Sequence, residues 1–146
     1  MLNPEEPRQY QAPAAILHGR VIAITGAGAG IGRAVALSAA QHGAQVVLIG
    51  RTVKRLESVH AEIRAQGSPE ASIAPLDLER ALAGDYDAVA AAVTERYGRL
   101  DGLLHNAAQL GTLAPIEHTQ MASWCRVLHV NLTAAFEMSH EAAKRM

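Results

Sequence analysis

Apolar residues are distributed along the chain in two alternating rhythms. Val21–Ile22–Ala23–Ile24 and Gln45–Val46–Val47–Leu48–Ile49 are short, largely β-branched runs, the pattern of strands buried on both faces. Between them, Ile31 to Gln41 carries Ile, Ala, Val, Ala, Leu, Ala and Ala, a helix-forming series that His42–Gly43 is placed to stop. A second helical period puts apolar residues at 53, 56, 59 and 63, and Gly67 ends it. Further on, a weaker strand is predicted at Ser72–Pro75. A helix is predicted over Tyr86–Tyr97, with Asp85 near its start as a cap, and a fourth strand over Leu100–Asn106. After a loop holding Gly111 and Pro115, one long helix is expected from about Thr119 to the chain end. Residues 1–18 read as a loose arm before the first strand.

Strands that alternate with helices make a parallel sheet with right-handed crossovers and helices on both faces. The predicted fold class is therefore α/β, a Rossmann-like doubly wound sheet of four strands closed by a long helix. Ligands of such sheets bind beyond the carboxyl ends of the strands. The glycines after the first strand, Arg51 after the second, Asp77 after the third and Asn106 after the fourth would all meet there.

Composition narrows the class. The 146 residues carry a net charge of −1 and are 49% hydrophobic but only 3% aromatic, so the core has to be Ala, Val, Leu and Ile. Basic and acidic residues are mixed, which leaves no nucleic-acid footprint. No stretch approaches the roughly 18 uninterrupted apolar residues of a membrane helix. The single cysteine, Cys125, rules out an internal disulfide and fits a reducing, cytoplasmic setting; within a helix and without a base nearby, it reads as core. Seven histidines are scattered with no H-x-x-x-H pair, so no metal site is signalled.

The chemistry concentrates at Thr25–Gly26–Ala27–Gly28–Ala29–Gly30–Ile31–Gly32. Glycines let the backbone turn sharply and approach a ligand closely, and the helix that follows aims free N–H groups and a positive dipole end at a phosphate. The spacing is T-G-x-x-x-G-x-G, which fits neither G-x-G-x-x-G nor a Walker loop. A dinucleotide is the inferred ligand. A methyltransferase would want an acid at the end of the second strand, where this chain has Gly50–Arg51.

In this order and at these separations, the motifs resemble those of the classical short-chain dehydrogenase/reductase family. The resemblance runs from about Gly19 to Met146, the N-terminal half of a typical member. Within the family, Gly19–Arg20, Leu48–Arg51 and Leu104–Asn106 are most similar to a YciK-type subgroup of bacterial oxidoreductases. The resemblance implies that Gly26, Gly28, Gly30, Ile31 and Gly32 form the cofactor turn and that Asp77 and Leu78 hold the adenine. It also implies that Asn106, Ala107 and Ala108 line the cofactor site, with His105 as a structural substitute for an asparagine and Ala108 for a glycine. Asn131 matches the asparagine that relays protons through water. Arg51, standing where an acid would favour NAD(H), would accept the 2′-phosphate and select NADP(H).

The implied reaction moves a hydride between the nicotinamide and a small-molecule carbonyl or alcohol. The family's serine and its Tyr-x-x-x-Lys pair have no match: Tyr10, Tyr86 and Tyr97 are followed four positions on by Ala14, Ala90 and Asp101. A chain cut after the long helix is thus expected to be inactive alone. Its fourth strand would have a bare edge and its long helix an uncovered apolar surface, which favours self-association, a homo-oligomer in intact relatives. A non-catalytic dinucleotide-binding or interaction half-domain is the alternative reading.

Overall fold

A computed structural model describes residues 11–146. The first ten residues of the expected arm, Tyr10 included, lie outside the described residues. Residues 14–19 form turns, and the Leu17 N–H donates to the His42 carbonyl (3.0 Å), fastening this stretch to the end of the first helix.

Four parallel strands form one sheet: β1 (Val21–Thr25), β2 (Gln45–Gly50), β3 (Ser72–Pro75) and β4 (Gly102–Leu104), in the spatial order β3-β2-β1-β4. The chain steps outward from β1 through β2 to β3, then reverses across β1 to place β4. That reversal leaves a crevice at the carboxyl ends of β1 and β4, where open α/β sheets bind ligands.

Alternation along β2 assigns the two faces. Val46 and Leu48 turn to one side, where they pack with Ala36, Ala40, Leu56, Val59 and Ile63 from α1 (Gly30–Gln41) and α2 (Val53–Ala65). Val47 and Ile49 turn to the other, where Tyr86, Val93, Ala134 and Met138 come from α3 (Ala83–Tyr97) and from the C-terminal helical segment. Both faces are covered, as β-branched runs without polar alternation require. At the opposite end of the sheet, Asp101 accepts from the Val21 N–H (2.9 Å) and from Arg20 (2.8 Å). Arg99 above all, with these two donors, holds its carboxyl well below the usual carboxylate range.

Four expectations need correction. The long helix does not begin at Thr119 and is not uniform. A 3₁₀ turn at Ile116–His118 precedes α4 (Met121–Leu128), a π-helical turn follows over His129–Thr133, and α5 (Ala134–Ala143) completes it. Cys125 is exposed rather than buried in the core, because this segment turns Val130, Ala134, Met138 and Ala142 inward instead. The fourth strand is also shorter than expected, since only Gly102–Leu104 pair with β1. Helix α3 starts earlier than expected, at Ala83, and Asp85 does serve its beginning: its carboxylate accepts the Leu82 N–H at 2.8 Å.

Candidate cofactor site

The crevice opens as a cleft of about 330 Å³ walled by the ends of all four strands. Gly26 and Gly28 contribute from the turn after β1, Arg51 from beyond β2, Asp77 and Leu78 from beyond β3, and Asn106, Ala107 and Ala108 from beyond β4. Gly30, Ile31 and Gly32 are not on this wall; they form the first turn of α1 beside it.

Close packing explains the glycines. Gly26 has φ +66°, and a Cβ there would come within 2.8 Å of Asn106 Nδ2. At Gly32 a Cβ would collide with the Gly26 carbonyl oxygen, so the helix can start this close to the strand only without a side chain. The start of α1 is left open. Ala29, at its N-cap, makes no side-chain hydrogen bond, and the first turn holds no acid. Such uncapped N–H groups, together with the helix dipole, suit a phosphate.

Thr25 joins the two sides of the crevice. Its buried hydroxyl accepts the Asn106 N–H (3.0 Å) and the Ala107 N–H (3.1 Å) and donates to the Leu104 carbonyl (3.3 Å). Asn106 Nδ2 donates back to the carbonyls of Thr25 (3.0 Å) and Gly26 (3.3 Å). Ala108 in place of glycine costs no backbone strain, since among the described residues no non-glycine has a positive φ.

Asn131 sits in the π turn, on a neighbouring recess of about 240 Å³ that Thr25, His105 and Ala108 also line. Its Oδ1 accepts the Gln109 N–H (2.8 Å) and its Nδ2 donates to the Gln109 carbonyl (3.0 Å), which pins the loop after β4 to the helix. His105 Nε2 lies 2.8 Å from Ser139 Oγ. The single hydroxyl hydrogen of Ser139 goes to the Ala135 carbonyl (2.8 Å), so His105 Nε2 is the donor and its Nδ1 carries the free lone pair. Burial pushes the His105 pKa down, which favours this neutral form. Neither Tyr86 nor Tyr97 lines the cleft: Tyr86 is buried in the core, and the Tyr97 hydroxyl meets Ser72 Oγ.

Sequence reasoning left out several wall residues, chiefly Arg55, Glu79 and Gln109, and gave Thr25 no role beyond opening the glycine motif. Arg55 had a legible signal, standing four positions after Arg51 at the start of a helix. Glu79 had none beyond its nearness to Asp77. Among the described residues, no group of three His, Cys, Asp or Glu side chains could hold a metal ion. No helix among them is long and apolar enough to cross a membrane.

Comparison with known proteins agrees with this geometry. The family model for short chain dehydrogenases matches residues 20–146. The oxidoreductase YciK of Escherichia coli (strain K12) is 35% identical over 130 residues, covering 89% of this chain and 52% of that protein. A solved structure assigned as a short chain dehydrogenase from Pseudomonas syringae superposes with a TM-score of 0.91 at 43% identity, over 94% of this chain and 57% of the other. Another so assigned, from Escherichia coli CFT073 and complexed with NADPH, gives a TM-score of 0.88 at 33% identity, over 92% and 56%. The chain spans about half the length of the curated relatives it matches. With the family model matched across the whole of β1 to α5, the chain belongs to the short-chain dehydrogenase/reductase family.

Proposed function

We propose that this chain forms the cofactor-binding half of an NADP(H)-dependent oxidoreductase acting on a carbonyl or alcohol. The single observation that carries the cofactor choice is Arg51 at the end of β2, on the cleft wall, where a ribose-binding carboxylate would stand. Arg55, one helical turn on, lines the same wall and adds a second guanidinium for a 2′-phosphate. The relative solved with NADPH supports the same reading.

In this arrangement the glycine turn and the open start of α1 hold the pyrophosphate, and Asp77 and Leu78 the adenine. Asn106, Ala107 and Ala108 continue the wall toward the recess beside Asn131. The bound dinucleotide supplies or accepts the hydride. Asn131 is a positioning residue here, its amide being committed to the Gln109 backbone. Neither described tyrosine faces the cleft, so the family's tyrosine acid–base step requires groups beyond those on this wall. The lone exposed cysteine suits a reducing cytoplasm, and self-association through the exposed side of α4 and α5 is part of the same proposal.

Fluorescence titration of the purified chain with NADPH and NADH tests it. NADPH is expected to bind about tenfold more tightly, the lower end of what charge-assisted hydrogen bonds provide at a solvent-facing site. Equal affinities would overturn the NADP(H) assignment, and no binding of either would overturn the dinucleotide reading.

A further inference from the structure

We propose that Glu79 tunes the preference between phosphorylated and unphosphorylated dinucleotides by holding Arg51 in reserve; this rests on the cleft being an NADP(H) site. Glu79 lies two residues past Asp77, which fixes the turn by accepting the Glu79 N–H at 3.2 Å. Its half-buried side chain is on the cleft wall, and its two carboxylate oxygens serve different guanidinium groups. Oε2 is 4.0 Å from Arg51 Nη1, and Oε1 is 4.0 Å from Arg126 Nη1 on α4.

At that separation the attraction is electrostatic and lacks a full hydrogen bond. Arg51, 70% exposed, is therefore only tethered across the adenosine end of the cleft, from the β2 side to the β3 side. A 2′-phosphate offers a guanidinium shorter, bidentate, charge-assisted contacts and draws Arg51 away from Glu79. That exchange costs the Arg51–Glu79 attraction and leaves a carboxylate facing the new anion. Arg126 moderates the cost by keeping a counter-charge on the other oxygen. An unphosphorylated dinucleotide leaves Arg51 where it is and incurs neither cost. Glu79 thus opposes NADP(H) binding through Arg51 and is indifferent to NAD(H).

The test is a set of NADPH and NADH titrations on the intact chain and its variants. Glu79→Gln should tighten NADPH binding about two- to fivefold, the range of an exposed ion pair, with NADH unchanged. The gain should fade at high salt and shrink in an Arg51→Gln background, where only the direct repulsion between carboxylate and phosphate remains. Arg126→Gln, which strips Glu79 of its second partner, should weaken NADPH and spare NADH. The proposal is overturned if Glu79→Gln weakens NADPH, alters both nucleotides equally, or keeps its full effect without Arg51. If the unaltered chain binds neither nucleotide, the cofactor reading itself fails and this proposal falls with it.

Discussion

The hydroxyl of Thr25 accepts two backbone N–H groups of the loop after β4 while lying buried at the end of β1. Replacing it by valine keeps the shape and removes the acceptor. Two enclosed N–H groups then lose their partner, which costs about 2–4 kcal/mol in total. Thr25→Val should therefore lower the urea midpoint by that equivalent and loosen the cleft, whereas Thr25→Ser should keep most of the stability. Full stability in the valine variant would show that the loop is held by other contacts. Thr25 was visible in the sequence as the first letter of the glycine motif, but its role was not, because a hydroxyl's partners 79 to 82 residues away leave no local trace. Gly26, Arg51, Asp77 and Asn106 could be placed because each stands one or two residues past the end of a strand and the topology brings strand ends together. Glu79 has no such rule: its meaning comes only from Arg51 and Arg126 on other elements.

Between elements, the clearest electrostatic joint links α5 to α3. Glu141 is nearly buried and receives Lys144 (2.7 Å) and Arg145 (3.0 Å), while Arg145 also reaches Asp87 on α3 (2.6 Å). Lys144 foremost, then Arg145 and His140, hold the Glu141 carboxyl down at about 2 against an ordinary 4.5. The folded state thus takes up this proton later than the unfolded state does. The associated stability is complete above the unfolded value of 4.5 and is lost as the pH falls toward about 2. Thermal melts across that range should show Glu141→Gln less stable than the parent at neutral pH, with the difference shrinking steadily below pH 4.5. A pH-independent difference would mean that packing, not ionisation, accounts for it. The same region shows where reading by period stops. Strands β1 and β2 and helices α1 and α2 follow from uninterrupted apolar runs and regular spacing. The π turn at His129–Thr133 does not, since one extra residue in a turn shifts the inward stripe without breaking the apolar series. Cys125 was misplaced on residue type alone: cysteine favours burial, but no residue of α4 is buried.

For the molecule as a whole, the feature without an internal explanation is the outer side of α4 and α5. Met121, Trp124, Leu128, Leu132 and Phe136 succeed one another at spacings of three and four, and all are exposed, Leu132 and Phe136 by about two thirds. Apolar residues scattered singly need no account, but a series of this kind along one helical segment is the surface through which self-association is proposed. Strand β4 adds a second opportunity, because among the described residues β1 is its sole partner within the sheet. Its length of three residues makes it the weaker of the two. Sedimentation velocity should therefore show concentration-dependent association of the chain. The paired substitution Leu132→Lys and Phe136→Lys should shift it toward monomer, because two like charges would have to be buried at the joint. Since both side chains already face solvent, the melting temperature of the dilute monomer should change little. Association that survives the double lysine variant would transfer the contact to the open edge of β4, and a purely monomeric parent would remove the case for either.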